Sequence, residues 1–238
     1  LVVAHRGMHG QRGLMENTLP AFDSALEVGA WGIEFDVRWT KDQIPVVCHD
    51  QDCRRVFGNP LVIEKTSFTA LRQAVPQAPA LEEVIQRCGK RAHLMIELKS
   101  ETTPLTRDQF DTLHRLLAPL APPDDFHILT YDADLLDKLE FLPKAARLLL
   151  TSTDMRQKSH LALAREYGGL LGHYALLSSA LIRRHASAGQ AVGTGFISSR
   201  KCFFREVTRG VRWVFTDRCA ELVQLRNQGL GVETKPRG

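Results

Sequence analysis

Along most of the chain, short apolar runs of strand character alternate with longer stretches whose apolar residues recur at helical spacing. The runs are "LVVAHRG", "GIEFDVRWT", "AHLMIELKS", "DFHILTYD", "ARLLLTST", "GLLGHYALL", "AVGTGFIS" and "VRWVFTDR". Strands separated by helices predict a parallel sheet, because parallel neighbours need a crossover that a helix supplies. The helices carry readable ends. Thr18 is placed to cap "LPAFDSALEV", with Pro20 in the first turn and Gly29 past the end. "LEEVIQRC" stops at Gly89, and "SSALIRRHASAG" starts at Ser178 or Ser179 and closes at Gly189. "TDRCAELVQLRNQG" has the same form.

Eight strands in 238 residues predict an α/β protein, a closed (β/α)8 TIM barrel, for which ~250 residues is typical. An open doubly wound sheet is the alternative, but no Gly-rich phosphate loop follows the first strand. The count requires "PVVCHD" to stand outside the ring. The "TKDQ" turn before it is too short for a parallel crossover and predicts an antiparallel hairpin returning along the second strand. A turn centred on Lys41 and Asp42 puts His49 opposite Glu34; a shift of one residue puts it opposite Asp36. Residues 51–80 break the alternation and read as a small insertion over the barrel mouth, with "TSFTALRQA" as a short helix. The expectation is one barrel domain over residues 1–238.

Strand parity then sorts the polar residues. Glu34 and Asp36 share one face of their strand, while Ile33, Phe35 and Val37 share the other. "HLMIELKS" repeats this, with Glu97 and Lys99 opposite Leu94, Ile96 and Leu98. Three inward carboxylates repel one another and are costly to desolvate unless a cation compensates them. An all-oxygen set favours Mg²⁺ or Ca²⁺ over zinc. The competing reading pairs each acid with a Lys or Arg at the rim. "AHRG" places His5 and Arg6 at the carboxyl end of the first strand, where barrels of this kind carry their chemistry. His5 and His49 would flank the acids and suit general acid–base work on a phosphodiester. Arg6 and Lys99 would neutralise phosphate oxygens. His93, His114, His127, His160 and His185 read as structural; His9 and His173 fall near the mouth without a role.

Composition narrows the partners. A net charge of +4 is too diffuse for a nucleic-acid surface but suits an anionic substrate or brief contact with a membrane surface. Cys48, Cys53, Cys88, Cys202 and Cys219 show no metal-site spacing and read as free thiols. No apolar run reaches the ~20 residues that span a bilayer, and no signal peptide is visible. A cytoplasmic location is the expectation, although the chain opens directly inside a strand pattern and an upstream segment could have been trimmed.

The segments "AHRG", "ENTLPAFDSALEVGAWGIEFDVRWTKDQIPVVCHD", "APALEEV", "IELK" and "VFTDR", in this order, closely resemble the glycerophosphodiester phosphodiesterases. The resemblance implies a TIM barrel that hydrolyses glycerophosphodiesters to an alcohol and sn-glycerol 3-phosphate with a divalent cation. It implies Glu34, Asp36 and Glu97 as metal ligands, His5 and His49 as the acid–base pair, and Arg6 and Lys99 on the phosphate. Glu16 would position Arg6 or a substrate hydroxyl, Asn17 would support it, and Asp50 would orient His49. Two departures stand out: "GTGFIS" puts Gly195 where the family usually carries a Trp, and "DCRRVFGN" replaces a usually Thr-rich segment. An open mouth lined by Phe57, Phe68 or Phe196 would favour the alternative of a lysophospholipase D. A non-catalytic phosphate-binding barrel is the third reading, and it leaves the two histidines unexplained.

Overall fold

The computed structural model describes residues 1–10, 13–99 and 104–230. Among the described residues nine strands form: β1 (Val2–His5), β2 (Gly32–Trp39), β3 (Pro45–Val47), β4 (His93–Leu98), β5 (Phe126–Thr130), β6 (Arg147–Leu150), β7 (Gly169–His173), β8 (Ala191–Gly195) and β9 (Trp213–Thr216). Ser100, at the end of the third strand candidate, lies outside the described residues. Eight strands run parallel around a ring in the order β1, β2, β4, β5, β6, β7, β8, β9, and β9 pairs with β1 to close it. This is the closed TIM barrel that the alternation predicts. β3 stays outside, antiparallel to β2.

Parity decides what each barrel strand does. Ile33, Phe35, Val37, Leu94, Ile96 and Leu98 are buried in the layer between barrel and helices. Burying each such side chain stabilises the fold by ~1.5–3 kcal/mol. The barrel interior holds a second cluster, including Met95, Leu129, Leu148, Leu171 and Trp213. These fill the lower barrel, so the polar residues of β2 and β4 emerge only at the carboxyl ends of the strands.

The hairpin register differs from both expected values. Val37 pairs with Val47 and Trp39 with Pro45, so the turn centres on Asp42. The Gln43 N–H donates to the Thr40 carbonyl at 3.0 Å, and Gln43 takes φ 64°. A tight turn followed by a left-handed residue makes a three-residue loop, one longer than a two-residue turn. His49 therefore lies beyond the paired stretch and opposite neither acid. Its backbone is held instead by Arg38, whose Nε donates to the His49 carbonyl at 2.8 Å.

Two helix starts also differ. Thr18 sits at the N-terminal boundary of helix Leu19–Glu27, but its hydroxyl donates to the Met15 carbonyl at 2.7 Å and caps nothing. The last helix runs Cys219–Gly229 with Arg218 at its boundary and no side-chain cap, and Gly229 is its final residue. Ser178 does cap its helix, accepting from the Leu181 N–H at 3.1 Å.

Residues 51–80 contain helices Arg54–Phe57 and Phe68–Ala74 and a small core of Cys53, Ile63, Leu71 and Val75, shared with Val46 and Cys48 of the hairpin. The Phe68 N–H donates to Asp42 Oδ1 at 2.8 Å, tying the insertion to the hairpin turn. Phe57 and Phe68 pack on this core and not at the barrel mouth. All five cysteines are free thiols.

Candidate active site

Strand register assembles the site. His5 pairs with Glu34 across β1–β2, and Asp36 pairs with Glu97 across β2–β4. Paired residues of neighbouring strands share a face about 4.8 Å apart, so four polar side chains meet at one side of the mouth. A carboxylate oxygen from each of Glu34, Asp36 and Glu97 lies within 4.8 Å of the others. Glu34 and Asp36 are almost fully buried.

These acids are compensated only in part. The Lys99 ammonium lies 2.7 Å from Asp36 Oδ1 and 2.5 Å from Glu97 Oε1. Arg6 Nε lies 3.4 Å from Asp36 Oδ2. Burial raises Asp36, but the charges of Lys99 and Arg6 outweigh it and hold the carboxyl below its ordinary value. Glu34 goes the other way: burial, then the charges of Asp36 and Glu97, push it well above the usual range. Burial and the charge of Asp36 raise Glu97 too. A crowded, buried set of oxygen donors with a residual negative charge fits a hard divalent cation.

The loop after β1 builds the other half of the site under backbone constraint. Arg6 and Asn17 are non-glycine residues with φ 56° and 58°, conformations that cost of order 1 kcal/mol each and gather at functional sites. Gly7 has φ 79°, and a Cβ there would come 2.9 Å from the Ala21 backbone, so no other residue fits. This turn aims the Arg6 N–H at Glu34 Oε2, 3.1 Å away. The Asn17 amide donates to Asp36 Oδ2 at 2.8 Å. Arg6 Nη1 donates to Glu16 Oε1 at 2.9 Å.

His5 and His49 each carry a carboxylate on Nδ1. His5 Nδ1 is 2.6 Å from Asp217 Oδ1, and its Nε2 is 3.8 Å from Glu34 Oε2. His49 Nδ1 is 2.6 Å from Asp50 Oδ1. A carboxylate only accepts, so each Nδ1 carries the hydrogen and each Nε2 is left free. Burial draws the His49 imidazole below its ordinary value, against the charge of Asp36 and the Asp50 hydrogen bond. Hydrogen bonding from Arg55 pulls Asp50 down to about 2.

Arg55 comes from the insertion. It donates to Asp50 Oδ2 at 2.6 Å and to both oxygens of Glu16, at 2.9 and 2.6 Å. A continuous polar chain therefore runs from His49 through Asp50, Arg55 and Glu16 to Arg6.

His5, Arg6, Glu16, Glu34, Asp36, His49, Glu97 and Lys99 all lie at this mouth, whereas Phe57 and Phe68 do not. Asp217 and Arg55 were not singled out. Asp217 follows β9 directly, and closure of the ring brings β9 beside β1; its position after the last strand was the available signal. No sequence signal marks Arg55. Of the structural histidines, His93 Nε2 and His127 Nδ1 are bonded at 2.7 Å near the start of β4 and β5, away from the mouth. His185 is buried between Ser159 and Gln190. His173 lines the mouth with Phe196, opposite the acids.

The fold and site define a class: a TIM barrel whose mouth sets a carboxylate cluster beside carboxylate-bound imidazoles. A model of the "Glycerophosphoryl diester phosphodiesterase family" matches residues 5–221. The chain belongs to that family. A glycerophosphodiester phosphodiesterase of Caldanaerobacter subterraneus is 35% identical over 112 residues, 42% of this chain and 45% of the relative. The matches to the first curated relatives span about half their length. A Bacillus subtilis glycerophosphodiester phosphodiesterase is 26% identical over 91% of this chain and 83% of its own. Among solved structures, a Thermotoga maritima glycerophosphodiester phosphodiesterase is 25% identical with a TM-score of 0.81, covering 94% of this chain and 97% of that one. An Oleispira antarctica phosphodiesterase, solved with its product sn-glycerol-3-phosphate, has a TM-score of 0.84 at 24% identity over 95% and 96% of the two chains. That second likeness concerns the fold.

Proposed function

We propose that this protein hydrolyses glycerophosphodiesters to an alcohol and sn-glycerol 3-phosphate. The observation that carries the reading is the pairing at one mouth of a buried oxygen-donor trio with two imidazoles whose Nδ1 atoms are held by carboxylates. Binding a phosphate would not require such a pair, which argues against a non-catalytic barrel. Family membership supports the reading, and relatives in the family bear the name of this activity.

Glu34, Asp36 and Glu97 would hold Mg²⁺ or Ca²⁺; when bound, the cation supplies Lewis-acid polarisation of a phosphoryl oxygen. Arg6 and Lys99 neutralise phosphate oxygens from the flank, with Glu16 and Arg55 fixing the guanidinium of Arg6. One of His5 and His49, as the neutral ring, takes the proton of the attacking oxygen through Nε2, and the other, as the imidazolium, gives its Nε2 proton to the departing alcohol. Asp217 and Asp50 each hold an Nδ1–H, which leaves Nε2 of both rings for the proton transfers. Residues 1–238 act as one barrel unit, with the 51–80 insertion supplying Arg55.

A second reading has one observation in its favour. Beside the acids, the floor and wall of the mouth are apolar, formed by Leu129, Leu150, Leu171 and Phe215. Tyr131 and Phe196 stand 47% and 52% exposed at its rim. Such a wall suits an acyl chain, hence a lysophospholipid as the diester. Mouth contact with a membrane surface would follow; among the described residues no helix is long and apolar enough to cross one.

A panel of glycerophosphodiesters and lysophospholipids, with and without chelator, tests both readings. Release of sn-glycerol 3-phosphate that EDTA abolishes and Mg²⁺ or Ca²⁺ restores is expected. His5→Ala and His49→Ala should each lower kcat by ~10²–10⁴. No release from any substrate, or full activity in both variants, overturns the assignment.

A further inference from the structure

His9 lies four residues beyond the end of β1, and no step of the hydrolysis uses it. Its Nε2 is buried and has no hydrogen-bond partner among the described residues, although it points at Asp217 Oδ1 from 3.5 Å. An imidazole nitrogen left in this state is costly. The same carboxylate oxygen binds His5 Nδ1 at 2.6 Å. His5, His9 and Asp217 each offer one ligand atom, and these atoms lie within 4.8 Å of one another. The Asp217 side chain is half exposed, so the cluster opens to solvent.

We propose that His5, His9 and Asp217 form a second, inhibitory cation site that takes Zn²⁺. Two imidazole nitrogens and one carboxylate oxygen, with an open fourth position, suit tetrahedral zinc. Mg²⁺ and Ca²⁺ demand oxygen donors and are directed to the trio of Glu34, Asp36 and Glu97. The two clusters therefore sort hard from borderline ions while sharing a boundary, since His5 Nε2 is 3.8 Å from Glu34.

Inhibition follows from the identity of the shared ligand. Zinc can bond His5 Nδ1 only where the hydrogen now sits. The Nδ1–H bond breaks, the Zn–Nδ1 bond forms, and the ring's single proton moves to Nε2. Nε2 then has no lone pair with which to accept a proton. This step rests on His5 acting as the general base of the proposed reaction, whereas zinc binding itself does not.

The test uses the whole chain at saturating Mg²⁺. CoCl2 is titrated as a spectroscopic probe, and ZnCl2 is titrated against hydrolysis, in the unmodified protein and in His9→Gln. One Co²⁺ per chain with the intense visible bands of four-coordinate nitrogen ligation, displaced by Zn²⁺, is expected. Zinc should abolish hydrolysis in the unmodified protein. His9→Gln should keep its Mg²⁺-supported activity, lose the cobalt bands, and need at least ~tenfold more zinc for the same inhibition. That retained activity also shows that the variant folds. Unchanged cobalt bands and unchanged zinc sensitivity in His9→Gln overturn the site. Cobalt bands that depend on His9 while zinc leaves hydrolysis intact would uphold the site, refute inhibition, and count against His5 as the base. If no substrate is hydrolysed at all, the cobalt bands still decide the site.

Discussion

Asp217→Asn removes a charge while keeping the size and shape of the side chain. In the structure Asp217 Oδ1 lies 2.6 Å from His5 Nδ1. Hydrogen bonds to charged groups contribute ~1.5–3 kcal/mol. The Asp217 side chain is 50% exposed, and solvent screening argues for the lower end. At ~1.4 kcal/mol per tenfold, a loss of 1.5–2 kcal/mol lowers kcat by ~10–30-fold. Asp217 bonds the imidazole and not the acidic trio, so KM and the Mg²⁺ requirement should stay within about twofold. An asparagine that turned its NH2 toward Nδ1 would move the ring proton to Nε2 and deepen the loss, because the wrong tautomer cannot accept. The assay is steady-state release of sn-glycerol 3-phosphate at several Mg²⁺ concentrations, with thermal melting as the folding control. An unchanged kcat in a folded variant would sink the positioning role. So would a raised KM with kcat intact, since that pattern marks a binding contact.

Two further outcomes follow from the geometry. His93 Nδ1 donates to the Asp124 carbonyl at 2.9 Å, so its Nε2 must accept from His127 Nδ1. Burial lowers the two rings to about 4 and about 3. The folded state thus binds fewer protons than the unfolded chain, and stability present above pH ~6.5 is lost as pH falls toward 4. At pH 5 the loss is ~2 kcal/mol per ring, and His127→Gln should remove that share of the pH dependence in urea unfolding between pH 7 and 5. Equal slopes in the two proteins would refute it. At Gly195, a Cβ would meet nothing within 4 Å, so Gly195→Trp should fit beside Phe196 and narrow the apolar wall. The preference for acylated over deacylated substrates should fall by ~tenfold, within the usual range of pocket discrimination; an unchanged ratio in competition assays would count against that wall as the acyl site.

The fold was legible because its signals are local and repeated. Each barrel strand announces itself as an apolar run between helices, and eight such runs admit few closed arrangements. Parity along β2 and β4 sufficed to turn Glu34, Asp36 and Glu97 to one face. What failed was finer. The hairpin register hinged on one left-handed residue, Gln43, which no short-range pattern marks. Thr18 was misread as a cap because its hydroxyl had a competing carbonyl at Met15. Phe57 and Phe68 were only candidates for lining an open mouth, and the insertion uses them for its own small core.

The chain by itself determined the barrel, the inward face of the acids, and the placement of His5 and Arg6 at a strand's carboxyl end, since side-chain alternation is a property of each strand alone. Tertiary structure decided which groups complete the site. Asp217 meets His5 across 212 positions of sequence, and Arg55 meets Glu16 across 39. The first contact exists only because β9 closes onto β1, and the second only because the insertion brings helix Arg54–Phe57 beside Glu16. The charge on a buried carboxyl is likewise set by its neighbours: Glu34 is raised and Asp36 lowered on one face of one strand. Lys99 and Arg6 draw near one acid more than the other, and only packing fixes those distances.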